Sequence, residues 1–230
     1  MVLRAIAGDV LDALVPPRCP GCGRRGDVVC ARCAAALVPA PRDPPPPPVD
    51  WWTACFAYSG VARELVARAK YRNERRFIAL VARDLARAIG AAPATVDLVT
   101  WAPASTARIR ARGVDHGELL ARAVARAMDA PVAACLVRAP GRAQTGLGAR
   151  ERRVGPRLVA RGPVERATVL VVDDVATTGG TLAAAGRALR GAGAQAVFAA
   201  TIARTPPPGV RREGSAYTPA TPAGTGHRTR

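Results

Sequence analysis

Lysine is almost missing from this 230-residue chain: Lys70 is the only one, so arginine carries nearly all the positive charge behind a formal net of +17. An arginine surplus is the usual electrostatic footprint of phosphate-backbone binding. In a chain crowded with Ala, Gly and Pro, however, a coding bias that sets Arg in place of Lys gives the same pattern. A phosphate-rich substrate, single-stranded nucleic acid and a solvated basic surface therefore all stay compatible with the charge. Aromatic residues are scarce at 4%, and Ala, Val and Leu dominate the apolar 49%. That balance favours short helices and strands joined through small side chains in a soluble α/β protein. No stretch approaches the roughly 20 apolar residues needed to span a bilayer, which excludes an integral membrane protein. The first residues make no secretory signal, since acidic Asp9 and Asp12 interrupt the apolar positions after Arg4, and the cytoplasm is the expected compartment. Gly-Lys-Ser/Thr occurs nowhere, which excludes a Walker A loop and argues against an ATP-driven motor.

A chain of this length holds one sizeable α/β domain and a small satellite, because single domains commonly run to about 100–200 residues. Leu3, Ile6, Ala7, Val10, Leu11 and Leu14 recur at helical spacing until Pro16 and Pro17 end the run. A cysteine cluster follows. Residues 39–50 contain Pro39, Pro41 and an unbroken run from Pro44 to Pro48, a composition that favours stiff polyproline II and predicts a spacer. From Trp51 onward the text is α/β. Strands are expected over residues 51–58, 96–101, 168–172 and 195–202, with a short apolar piece at 135–137. Helices are expected over 61–70, 75–89, 115–128 and 182–190. The alternation predicts a parallel sheet flanked by helices. Beyond Arg204 there is too little apolar surface to offset ordering entropy, so a disordered basic tail is expected, with His227 inert in it. The expected division is 1–38 for an N-terminal helix and four-cysteine module, 39–50 for the linker, 51–204 for the main domain and 205–230 for the tail.

Cys19-Pro-Gly-Cys22 and Cys30-Ala-Arg-Cys33 are two Cys-x-x-Cys pairs separated by seven residues. Each such turn aims two sulfurs at one centre, and two turns supply the four thiolates of a closed, structural zinc site. Two disulfides or a redox pair would be the other reading, but persistent disulfides are rare in the cytoplasm and redox pairs do not come doubled at this spacing. Zinc also accounts for the folding of so short a module, contributing on the order of 10 kcal/mol of apparent binding free energy. Cys55 and Cys135 fall in apolar stretches and read as small buried hydrophobes.

The run from Val169 to Thr181, Val-Leu-Val-Val-Asp-Asp-Val-Ala-Thr-Thr-Gly-Gly-Thr, is the most informative in the chain. A buried strand brings Asp173 and Asp174 to its carboxyl end, where open α/β sheets bind ligands. Small residues Ala176, Thr177, Thr178, Gly179, Gly180 and Thr181 then lead into a helix, so backbone N–H groups and the helix dipole can converge on a phosphate. Ionised Asp only accepts hydrogen bonds, which suits the adjacent hydroxyls of a ribose. The stretch therefore reads as a ribose-5-phosphate site.

This segment resembles, without a gap, the thirteen-residue motif of type I phosphoribosyltransferases that binds 5-phosphoribosyl-1-pyrophosphate (PRPP). Four cysteines first and this motif near the C-terminus resemble the layout of the competence protein F (ComF) family over about residues 3–203. The resemblance implies that Asp173 and Asp174 contact the ribose hydroxyls, that residues 176–181 hold the 5′-phosphate, and that Mg2+ bridges pyrophosphate and ribose oxygens. It places the pyrophosphate loop at Ala102, Pro103 and Ser105, followed by a basic mobile stretch of Arg108, Arg110 and Arg112 with Gly113 as hinge. Arginine suits that task because its planar fork grips phosphate oxygens and stays charged. Lys70 matches the family's Lys-Tyr-Arg element, and Arg152 belongs with Gln144 and Leu147 to a second matching segment, where Arg150, Arg152 and Arg153 also make a dense basic patch.

Two departures from the family pattern stand out. Asp115 and His116 replace an Asn-Gln pair after Arg112-Gly113, with Val114 in place of an aromatic, and Gly155 stands where the family has Asn. His116 could titrate near neutrality, and capping the following helix is an equal role for this pair. The leading expectation is an enzyme that transfers phosphoribosyl from PRPP to an acceptor and releases pyrophosphate. The rival is a non-catalytic accessory factor that keeps the fold and acts with single-stranded DNA and with DNA-uptake or recombination proteins.

Overall fold

The computed structural model describes residues 17–72, 75–139 and 155–206. The helix expected over residues 3–14, the basic patch of Arg150, Arg152 and Arg153, and the tail beyond residue 206 lie outside the described residues. The elements described are α1 (Ala31–Ala35), β1 (Trp51–Ala57), α2 (Gly60–Arg72), α3 (Arg75–Ile89), β2 (Leu98–Trp101), α4 (Thr106–Arg112), α5 (His116–Met128), β3 (Leu136–Arg138), β4 (Leu158–Ala160), β5 (Thr168–Ala176), α6 (Gly180–Gly191) and β6 (Ala196–Arg204).

Four strands form one parallel sheet in the order β1-β6-β5-β2, while β3 and β4 pair antiparallel beside it. Alternation along the strands divides the core in two. Val99, Trp101, Leu170, Val172, Phe198 and Ala200 join Phe77, Val81, Leu85, Leu120 and Val124 of α3 and α5 on one face. Leu98, Val169, Val171, Val197 and Ala199 join Leu136 of β3 and Leu182, Ala185 and Leu189 of α6 on the other. Burial of each such Leu, Val or Phe is worth about 1.5–3 kcal/mol, so a mainly aliphatic core is sufficient, with Phe56, Phe77, Phe198 and Trp101 as its large members. Among the described residues, no helix is long and apolar enough to cross a membrane.

Two segments depart from expectation. Residues 106–112, expected as a mobile basic stretch, form helix α4. The Ser105 hydroxyl caps it by accepting from Arg108 N at 3.4 Å, and Gly113 N closes it onto Ile109 O at 2.7 Å. A hydroxyl cap and the helix propensity of Ala and Arg outweigh repulsion among exposed arginines. The proline-rich stretch, expected as a spacer, is laid along the sheet. Ala57 N donates to Val38 O and Ala40 N to Cys55 O, which pairs this stretch antiparallel with β1. Arg204 reaches Asp43 at 2.5 Å and stacks over the Trp52 ring at 4.3 Å, while Arg190 binds both oxygens of Asp50 at 2.5 and 2.6 Å. Leu37 and Val49 are buried at its two ends, with 2% and 5% exposure. These apolar anchors, rather than the prolines between them, decide that the stretch docks.

Candidate functional site

The last pair between β2 and β5 is Trp101–Val172, whereas β6 continues alongside β5 as far as Ala176–Arg204. From Asp173 onward, β5 is therefore open on its β2 side. The chain leaving β2 returns on the outer side, where Val132 bridges Val99, and the chain leaving β5 returns as β6 on the inner side. The two connections diverge, and a crevice of this kind at the carboxyl ends of parallel strands is where open α/β sheets bind ligands. Asp173 and Asp174, both half-buried, stand at its mouth. By alternation Asp173 lies on the face of Val169 and Val171 and Asp174 on that of Leu170 and Val172, so the pair flanks the strand end. Asp174 N donates to Asp173 Oδ1 at 2.8 Å, which fixes the first carboxylate.

The loop after β5 is built from backbone. Thr177 and Thr178 are exposed, Gly180 N donates to the Thr178 hydroxyl at 3.4 Å, and α6 begins at Gly180, two residues earlier than expected. Gly179 caps the helix at φ 74°, a left-handed conformation that glycine adopts without steric penalty. Gly179 itself offers no capping side chain, so apart from the Gly180 N–H taken by Thr178 the N–H groups of the first turn of this twelve-residue helix have no partner within the helix. Two neighbours brace the loop. A Cβ on Gly179 would meet Pro46 at 3.0 Å, and a Cβ on Gly155 would lie 2.1 Å from Gly180 O. Only glycine allows the chain at 155, itself at φ 75°, to approach so closely. The departure that seemed to remove an amide thus permits a backbone contact.

The loop after β2 is held by side chains. Ala102 N donates to Val172 O at 3.2 Å, Ala104 N to Asp115 Oδ2 at 3.0 Å, and Arg138 Nε to Pro103 O at 2.8 Å. Asp115 Oδ1 also accepts from Gly117 N at 3.0 Å, so the same carboxylate caps α5. His116, the first residue of α5, is buried. Arg138 was not foreseen, because nothing in its local sequence marks it. Its reach to Pro103, 35 positions away, exists only once the β3–β4 pair has formed. Burial pulls the Arg138 pKa below the ordinary value and neighbouring Arg108 adds to this, while Asp173 and Asp115 act in the opposite sense. Arg108 is exposed and Arg112 half-buried on α4; Lys70 falls in α2, and Arg152 lies outside the described residues.

The four N-terminal cysteines converge, with all four sulfurs within 4.8 Å of one another and Cys22 Sγ 3.6 Å from Cys30 Sγ. Tetrahedral zinc with bonds of about 2.3 Å needs sulfurs about 3.8 Å apart, so the cluster fits such an ion. Burial acts to raise the Cys19 thiol, but hydrogen bonds involving the backbone of Cys30, Cys22 and Gly21 outweigh it and bring it down to about 7. Burial pushes Cys33 up, helped by its hydrogen bonds with Cys19, Cys30 and Cys22. Val61 at the start of α2 lies against the cluster and seats the module on the main domain. Cys55 and Cys135 are held in the thiol form by burial, Cys55 within β1 and Cys135 just ahead of β3.

Residues 114–220 match the family model of the phosphoribosyl transferase domain. The α/β fold is of the phosphoribosyltransferase type. The matched span includes Asp115, Arg138, both acids and the β5 loop, and begins after the β2 loop and the cysteine module. No curated protein matches the chain. Among solved structures, the glutamine PRPP amidotransferase of B. subtilis is 27% identical over 56% of this chain and 26% of that one, at a TM-score of 0.40. The purine phosphoribosyltransferase of Pyrococcus horikoshii is 18% identical over 59% and 78%, at 0.39. The orotate phosphoribosyltransferase of Aeropyrum pernix is 24% identical over 62% and 64%, at 0.36. The chain covers about a quarter of the length of that amidotransferase and of an allosteric regulatory enzyme of purine biosynthesis that it also matches.

Proposed function

We propose that this chain is a ComF-type phosphoribosyltransferase of the cytoplasm, which binds PRPP across the β2–β5 crevice and passes phosphoribosyl to an acceptor with release of pyrophosphate. The observation that carries this reading is the pair Asp173 and Asp174 at the open edge of β5, directly ahead of a glycine-built helix start. The carboxylates accept hydrogen bonds from the ribose hydroxyls. N–H groups within residues 176–181 take the 5′-phosphate, aided by the α6 dipole. Adjacent carboxylates also offer the oxygen ligands that Mg2+ prefers, so Asp173 and Asp174 fit that ion, which when bound neutralises charge on diphosphate oxygens. Rate would come from positioning and from fixed positive charge around the leaving group. The four cysteines hold a structural zinc.

Exposed Arg108 and Arg110 on α4 favour a second reading, an accessory factor that holds single-stranded DNA during uptake or recombination without turnover. Thermal shift with PRPP and Mg2+ tests the first. A rise in melting temperature is expected for the native chain and none for Asp173→Asn/Asp174→Asn; an equal rise in both would remove the site assignment. Pyrophosphate release with a panel of bases separates enzyme from binder. Salt-dependent affinity for single strands that survives the double substitution would favour the DNA reading.

A further inference from the structure

The end of the proline stretch follows α6 from its first residue to its last turn. A Cβ on Gly179 would meet Pro46 Cβ at 3.0 Å and Cγ at 3.1 Å, and one on Gly186 would meet Pro48 Cδ and Val49 Cγ2, each at 3.3 Å. Asp50 then takes Arg190 on both carboxylate oxygens, at 2.5 and 2.6 Å. Gly179, Gly186 and Arg190 follow one another at intervals of seven and four residues, which sets them on one stripe of the helix. Glycine is a poor helix former, yet Gly186 stands inside α6, and the room its side chain would need is filled by Pro48 and Val49. The stretch is itself fixed. Val49 is buried in the cluster of Leu182, Ala185 and Leu189, and its N–H donates to Pro46 O at 3.0 Å. Asp50 Oδ2 accepts from Val197 N at 2.7 Å, and Asp43 pairs with Arg204 at the end of β6. Helix α6 thus has two supports, the sheet beneath it and this strap along its stripe. The turn that opens it has no capping side chain to hold it. Hydrogen bonds to a phosphate weaken steeply with misalignment, so whatever sets the helix along and about its axis sets how well that turn meets an anion.

We propose that residues 43–50 are the positioning element of the phosphate-binding turn, with Pro46 seating the turn and the Asp50–Arg190 pair holding α6 from its far end. The assignment rests on the phosphoribosyl reading of the β5 loop and adds to it a control exerted from outside the crevice. Arg190 lies eleven residues beyond Gly179, about 16 Å along the helix. That is too far to reach a phosphate held at the turn, so its effect on affinity travels through the helix.

Isothermal titration of the full chain with ribose 5-phosphate, well below the melting point of each variant, tests this, with amide hydrogen exchange at residues 178–183 as a second measurement. Pro46→Gly and Arg190→Gln should each weaken the sugar phosphate about three- to tenfold, the range of coupling carried through a rigid element, and speed exchange at the turn. Arg190→Lys, which keeps the charge but not the paired contact with Asp50, should lie between native and Arg190→Gln. Phe77→Leu, which loosens the core on the opposite face of the sheet, should leave the affinity within about twofold, as distant independent sites do. Native affinity in both strap variants would overturn the proposal. An equal loss in Phe77→Leu would overturn it too, since the strap would then act only through general stability. If the native chain ignored ribose 5-phosphate while exchange at the turn still answered to both substitutions, the strap would stand as the positioning element and the phosphoribosyl reading would fail. Unchanged exchange in that case would overturn both.

Discussion

The loops after β5 and after β2 face one crevice, yet they are made in opposite ways. The first is shaped by consecutive small residues and braced by backbone and proline at Gly155 and Pro46. The second is ordinary in sequence and is held by side chains of Asp115 and Arg138, from a helix start and from the β3–β4 pair. A glycine-built loop tolerates no added atoms, whereas a tethered loop tolerates substitution within itself but not at its tethers. The contrast can be broken from either side.

The largest effect is expected at Gly155→Ala. A methyl group 2.1 Å from Gly180 O, at a positive φ, combines overpacking with backbone strain. Chemical denaturation should show a loss of about 3 kcal/mol or more, with ribose 5-phosphate affinity reduced before pyrophosphate affinity. Asp115→Asn comes next. A carboxylate accepts through both oxygens, as Asp115 does, while an amide accepts through only one. Losing one tether should cost about 1–2 kcal/mol of stability, and titration should show weaker pyrophosphate with ribose 5-phosphate retained; the opposite order would erase the distinction between the loops. Ser105→Ala should do least, about 0.5–1 kcal/mol for an N-cap, because it frays exposed α4 without touching either tether.

The same contrast explains what the sequence disclosed. Residues 169–181 are contiguous, and each local choice there agrees with the others, so the β5 loop and the parallel sheet around it could be read directly. The cysteine cluster was legible for the same reason. Asp115 and Gly155 looked like departures because their partners, Ala104 N and Gly180 O, are brought near only by the fold. Helix α4 is hidden in the sequence because its arginines give the pattern of a solvated basic stretch, and its helical signal is the single cap at Ser105. Arg138 gave no local signal at all: its role depends on a pairing of β3 with β4 across a long interval.

The proline stretch between the cysteine module and β1 carries a final consequence. Any chain draped over a sheet edge must find acceptors for its amide hydrogens and give up backbone freedom. Proline has no amide hydrogen, and its ring has already surrendered most of that freedom in the unfolded state. Five in succession, Pro44 to Pro48, form a ribbon that asks nothing of the surface beneath it except shape. It can therefore press on the glycine turn at Gly179 through Pro46 without adding a donor that competes with the N–H groups opening α6.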